Sequence, residues 1–327
     1  MALASAMTFF ACSTLPGGAP PLHEAIAGGN FARVQKLVEG GADINEQYGG
    51  MGIYPLERAA EFPEIALYLL GKGAGGRDRA FSAALEESQY DLARALADAG
   101  VDCNENANAF YYLFSKEDLT VDQKIKTAKE VSNNTLTSSY ILLHFKPEEY
   151  KTAVDAFNID LEAKAFDTGF FGETIDLGTT ILHIAARRNN ADLVKFLLEA
   201  GADVNALDNN GQTALFYAIT AYGPRIDWES PVLENETGAK IKFISDMPHY
   251  SNVRQVQQSQ VANVLALLNA NVNINRQNYA GWTVLHFAAA AYPEGLRELL
   301  LEYGADADLK TNMNRTAGDI LQLRGNK

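Results

Sequence analysis

The chain is 327 residues long, 47% hydrophobic and 21% charged, the balance of a folded chain rather than a disordered one. Its formal net charge of −14 argues against binding a nucleic-acid backbone, which needs a basic stripe. No apolar stretch is long enough to span a bilayer.

In chain order, the first feature is an apolar run over 3–11 that ends at Cys12 and is followed by STLPGGAPP. A cysteine between small apolar residues and a flexible tether resembles the end of a bacterial lipoprotein signal. That resemblance implies a lipid on Cys12 and an envelope location. The alternative is a frayed or docked N-terminal segment on a cytoplasmic protein.

From Pro21 the chain reads PLHEAIAGGNFARVQKLVEGGADIN, which predicts two short helices stopped at Gly41. Residues 55–78 keep the leucines of this pattern without its histidine, and 80–103 put Phe81 and Ala84 in the anchor slots. Residues 106–135 predict helices over 110–114 and 121–131 with no turn glycine, and 140–164 form another copy poorer in apolar helix positions. The segment 165–177 (AFDTGFFGETIDL) lengthens a hairpin and carries Phe166, Phe170 and Phe171.

The pattern is best kept over 178–208, GTTILHIAARRNNADLVKFLLEAGADVNALD. Gly178 permits a tight turn and Thr180 is placed to cap the next helix through its hydroxyl. Leu182, Ile184, Ala185 and Ala186 make one apolar face, and Leu193, Val194, Leu197 and Leu198 make an amphipathic stripe. A second copy opens at Asn209 and is interrupted between its helices by 223–255, a loop long enough to be functional or disordered. A third runs from Ala280. The anchors Leu182 and Leu215 lie 33 residues apart, and Leu22 and Leu56 lie 34 apart.

That period, with its T-x-L-H-x-A core, resembles the ankyrin repeat family. The resemblance implies an all-α, ankyrin-type helical solenoid with short β-hairpin fingers, built from seven or eight units. The expected organisation is an N-terminal segment over 1–20 and one solenoid over 21–327, degenerate over 50–164, with insertions at 165–177 and 223–255. No unit buries its apolar face alone, so neighbours must stack, and local opening should begin in the degenerate block.

Candidate chemistry is sparse. His23, His144, His183 and His286 each follow a leucine at one repeat position, which predicts a structural role, bonding backbone between neighbouring units. Only His249, in the long insertion, escapes that rule. No Cys or His cluster has zinc spacing, and no cofactor is expected. Cys103 stands where other copies have Val204 or Ile44 and reads as a small apolar residue. Residues 71–76 match G-x-G-x-x-G, but a helix precedes them where a dinucleotide site requires a strand. The pairs Glu86-Glu87 and Glu148-Glu149 read as solvated helix faces. The sequons at Asn133, Asn235 and Asn314 carry meaning only on a secreted chain.

In stacked ankyrin units the fingers and first helices line one concave surface. The residues free to vary there are Asn209, Asn210 and Gln212 in one finger and Tyr279 and Trp282 in the next. Arg187 and Arg188 end a first helix facing the same groove, and Phe170 and Phe171 extend the row. Tyr, Trp and Arg dominate binding hot spots. A tryptophan between turn glycine and cap is poorly placed for the inter-helix core, although packing over the neighbouring finger is the competing role for Trp282. The expected function is a non-catalytic scaffold that binds another protein. The acidic surface reads either as solubility or as steering of a basic partner. Two alternatives remain: an enzyme or ligand binder using Trp228, His249 and Tyr250 of the insertion, and an envelope-tethered inhibitor of a partner toxin.

Overall fold

The structure, a computed structural model, describes residues 18–168, 174–220, 253–291 and 294–325. Cys12, Phe170, Phe171, Trp228, His249 and Tyr250 lie outside the described residues. The chain divides into two compact units, 1–136 and 137–327.

The first unit holds α1 (Pro21–Ala27), α2 (Phe31–Glu39), α3 (Pro55–Arg58), α4 (Pro63–Gly71), α5 (Arg77–Glu86), α6 (Tyr90–Asp98), α7 (Tyr111–Phe114) and α8 (Val121–Val131). Two layers result: α1, α3, α5 and α7 pack in succession, as do α2, α4, α6 and α8. The core is the contact between layers, with Leu22, Ile26, Leu56, Phe81, Leu85 and Phe110 fully buried. Residues 106–135, hardest to place from sequence, are one more helix pair. There a 3-10 turn over Ala107–Phe110 leads into the single turn of α7. Cys103 is buried, and burial pushes its thiol up to about 11, with Asp102 adding to the shift. It is an inert apolar residue.

The second unit begins with a 3-10 helix over Ser139–His144 and α9 (Tyr150–Phe157). Strands β1 (Ala165–Thr168) and β2 (Thr174–Thr179) then form an antiparallel hairpin, with Ala165 opposite Thr179 and a register shift between Ala165 and Asp167. After it come α10 (Ile181–Arg187), α11 (Ala191–Glu199), α12 (Ala214–Thr220), α13 (Val253–Asn269), α14 (Val284–Ala291), α15 (Glu294–Glu302) and α16 (Ala317–Gly325). First helices α10, α12, α14 and α16 pack in succession, and α11 packs on α13. Thus α12 and α13 are the two helices that the insertion separates. Among the described residues there are eight helix pairs, and α16 adds a first helix of the same kind.

The caps of α10 and α14 depart from a simple hydroxyl cap, for a reason visible three residues on. The backbone N–H of Thr180 donates to His183 Nδ1 over 3.2 Å, and its hydroxyl lies 2.9 Å from the same nitrogen. An Nδ1 that accepts must leave the proton on Nε2, and Nε2 donates to the carbonyl of Gln212 at 3.1 Å. Thr283 and His286 repeat the arrangement, with Nε2 reaching the Arg315 carbonyl at 3.1 Å. Each ring therefore ties the start of its own helix to the next finger turn.

Other copies fill the slot differently. Glu57 accepts the Tyr54 N–H at 3.2 Å, and Asp319 accepts the Thr316 N–H at 2.8 Å. His23 bonds the Glu46 carbonyl at 2.7 Å, but its Nδ1 faces Pro20, which has no N–H to give. In the Asn209 copy the slot is Phe216, so Thr213 Oγ1 is buried with no hydrogen-bond partner among the described residues.

His144 breaks the expected equivalence. The residue three before it is Ile141, which supplies no capping oxygen, and the segment winds as a 3-10 helix instead of an α-helix. The ring packs edge-on against Tyr140 at 6.0 Å. Burial, then the Arg188 charge, lowers its pKa to about 4.

Candidate functional site

The second unit presents three successive fingers ahead of α12, α14 and α16. Each is closed by a short polar residue three positions before the turn: Asp208, Asn278 and Thr311. Asp208 Oδ1 accepts the N–H groups of Asn210 and Gln212, both at 2.8 Å. Asn278 Oδ1 does the same for Ala280 and Trp282, at 3.1 and 2.9 Å. The backbone closes in the same register, Asp208 N to Gln212 O, Asn278 N to Trp282 O and Thr311 N to Arg315 O. These Asx-type brackets stand outside the leucine and glycine pattern of the repeat, and their constant offset to the turn is the signal that makes them readable in the sequence.

Fingers are also bonded to one another. Tyr279 N–H donates to the Asn210 carbonyl at 3.0 Å, and Asn312 N–H to the Ala280 carbonyl at 3.1 Å. Asn312 Nδ2 donates to the Tyr279 carbonyl at 2.9 Å. The glycines at the turns are fixed twice over. Gly211 and Gly281 hold φ near 75° and 77°. A Cβ there would stand 3.0 Å from the Tyr279 ring or 2.6 Å from Asn312 N. After the second helix of two units, asparagines clip neighbours together: Asn205 Oδ1 accepts from Asn273 N and Asn275 Oδ1 from Asp306 N, at 2.7 and 2.8 Å.

On this frame the expected site residues separate. Asn209, Asn210 and Tyr279 are exposed, with Tyr279 at 70%, and Gln212 is half-buried. Trp282 is only 7% exposed. The expectation that this indole stands clear of the core is corrected. It packs on Phe287 at 5.3 Å and on His286 at 5.9 Å, because the first helix directly after the finger turns those two rings toward it. Arg187 is half-buried, its positive charge acting on Tyr217. Arg188 reaches back instead, donating to the Tyr140 hydroxyl, with its guanidinium 5.2 Å from the Tyr140 ring centre.

Beneath the first finger, Tyr217 donates its phenol proton to Asp208 Oδ2 at 2.7 Å, and its ring meets His183 edge-on at 5.3 Å. Burial, then the Asp208 charge, pushes the phenol far above its ordinary range, so it stays protonated and donating. Burial likewise lowers the pKa of His183 and His286 against the opposing pull of their backbone bonds. All these groups are used to hold the fingers. Among the described residues, no group of three or more His, Cys, Asp or Glu side chains is arranged to hold a metal ion, and no helix is long and apolar enough to cross a membrane.

The comparisons agree with this geometry. Ankyrin-repeat profiles match 17–48, 154–225, 254–291 and 280–312. A putative ankyrin repeat protein of Fowlpox virus, FPV230, is 30% identical over 137 residues, which is 42% of this chain and 71% of the viral protein. Neurogenic locus notch homolog protein 1 of Xenopus laevis is 31% identical over 146 residues, 44% of this chain. The human notch homolog protein 2 is 32% identical over 141 residues, 43% of this chain. The matched region spans only 6% of each notch protein. Paired helices stacked in two layers, braced fingers at a recurring period and these matches together place the chain in the ankyrin-repeat family, whose repeats are typically protein–protein interaction modules.

Proposed function

We propose that this chain is a non-catalytic scaffold whose protein partner seats on the finger and first-helix side of the second unit, over roughly 165–285. The observation that carries the reading is Tyr279: a large aromatic side chain, 70% exposed, on a finger whose backbone is bonded on both sides. A rigid exposed aromatic loses little entropy when it is covered, which is why such residues anchor interfaces. Asn209, Asn210 and Gln212 supply adjacent polar contacts, and Arg187 the charged end of the first helix, Arg188 being turned back onto Tyr140. Trp282 contributes from below, by holding the finger against its helix.

Replacing Tyr279 and Asn209 by Ala should weaken capture of the partner by about 2 kcal/mol while leaving unfolding unchanged. Unaltered capture would move the interface elsewhere. The insertion supplies the test of the enzymatic alternative: deleting 224–254 leaves capture intact under the scaffold reading and abolishes activity under the other. A tether through Cys12, and with it an envelope-bound inhibitor, rests on the sequence run before that cysteine. Intact mass of the membrane fraction decides it.

A further inference from the structure

The fingers of the second unit use up their hydrogen-bond donors and keep acceptors in reserve. From Asn210 to Gln212 and from Tyr279 to Trp282 every backbone N–H is donated inside the fingers: three to Asp208, three to Asn278 and that of Tyr279 to the Asn210 carbonyl. Gln277 Nε2 is spent in the same way, on the Gly281 and Lys310 carbonyls at 2.8 and 2.9 Å. A backbone N–H has a single proton to give, whereas a carbonyl that has accepted once keeps a second lone pair. Charge at the tips points in the same direction. Residues 209–220 and 277–291 contain no Lys, Arg, Asp or Glu, in a chain of net charge −14. Arg276, at the base of the second finger, is half-buried, and in the last finger the exposed Lys310 and Arg315 share their field with the carboxylates of Asp306, Asp308 and Asp319. Between them stands Tyr279, its ring over Gly211 on one side and the residue 70% exposed.

We infer that the exposed side of the Tyr279 ring seats a cationic side chain, Lys or Arg, carried on a basic segment of the protein partner. This rests on the scaffold reading and adds the chemistry of the bound segment. The face of an aromatic ring is the negative pole of its quadrupole and attracts a cation held within about 6 Å of its centre. Ammonium and guanidinium groups are donors only, so the remaining lone pairs of the finger carbonyls are the partners they need. A carboxylate in the same place meets the reverse, oxygen facing oxygen with the backbone donors already used. A neutral segment gains the ring contact alone. At longer range the net charge of −14 draws a basic segment toward the chain, an attraction that weakens as salt screens it. The bonds on both sides of Tyr279 hold the ring in place before the cation arrives, which lowers the entropy lost on docking.

The test places the photocrosslinker p-benzoylphenylalanine at position 279 of the full chain in its native host and sequences the crosslinked peptide by mass spectrometry. A segment in which Lys and Arg outnumber Asp and Glu supports the inference. A neutral or acidic segment overturns it and leaves the scaffold reading standing, whereas no crosslink at all overturns both. In a second measurement the purified full chain is titrated with three fluorescent peptides that share their apolar positions and carry Arg, Gln or Glu between them. The Arg peptide should bind at least about tenfold tighter than the Gln peptide, with the Glu peptide weakest. Y279F keeps a ring and should keep that preference. Y279L keeps apolar area without a π face and should lose most of it, and the Phe variant guards against a folding defect. Equal binding of the Arg and Gln peptides, preference for Glu, no binding of any, or a Y279L chain that discriminates as well as the parent sinks the proposal.

Discussion

The ring of Tyr279 lies so close over Gly211 that a Cβ on that glycine would stand 3.0 Å from its Cε1. The two residues belong to different fingers, and the bond from Tyr279 N to the Asn210 carbonyl fixes their register. An alanine at 211 meets two penalties, a positive φ that costs about 1–2 kcal/mol and a displaced ring. G211A should therefore lower the unfolding free energy by about 2 kcal/mol in urea titration. Adding Y279A should return part of that loss, and strict additivity of the pair would mean the ring does not press on the turn.

Trp282 and Tyr279 flank the same glycine turn and should behave oppositely. W282A opens a buried cavity against Phe287 and His286 and should cost about 3–5 kcal/mol of stability. Y279A should change stability by about 0.5 kcal/mol or less and act on partner binding alone. Thermal melts of both variants alongside capture assays separate the roles.

Acid should destabilise the second unit through its histidines. His144, His183 and His286 all have folded pKa values below the ordinary 6.5, so the unfolded chain takes up more protons as the medium is acidified. Their contribution is fully present above about pH 6.5 and is lost as pH falls below it, for His144 down to about 4. Protonation of His183 also removes the acceptor for the Thr180 N–H. Urea midpoints measured from pH 7.5 to 4.5 should fall, and H183N should flatten the profile. A midpoint independent of pH over that range would contradict the neutral-ring assignment.

Thr213 should be dispensable where its counterparts are not. Its buried hydroxyl faces Phe216 in place of a histidine, so T213V removes a desolvated oxygen at little cost and should leave stability equal or raised. T180V and T283V break the pair with His183 and His286 and should each cost about 1 kcal/mol. Chemical denaturation of the three valine variants reads this directly.

Removing the Asp208 carboxylate strands the Tyr217 phenol and two finger N–H groups together. D208A should cost about 3 kcal/mol, several times the effect of Y217F. The two losses should overlap in a double variant because they share one bond.

Much of the fold was legible because its signals are local. The leucine spacing, the stop at Gly201 and the turn at Gly178 each act within a few residues, and α10 and α11 formed where that spacing required. The hairpin over 165–179 followed from the inserted length. The weak copies were harder for an equally local reason: with Ile141 in the cap slot and Tyr54 in another, helices shorten or tighten to 3-10 form. The candidate site was read only in outline. Sequence singled out Tyr279 and Trp282 together as large residues beside one turn, yet it held no information on which of them a neighbouring ring would cover.

The sequence by itself determined the repeat, because a helix stripe, a turn glycine and a cap act over distances shorter than one unit. Only the tertiary structure decided what each slot does between units. Whether a histidine ring finds a carbonyl in the next finger, as His183 and His286 do 29 residues on, and which finger bonds the backbone of Tyr279 depend on atoms far along the chain, brought into contact by stacking.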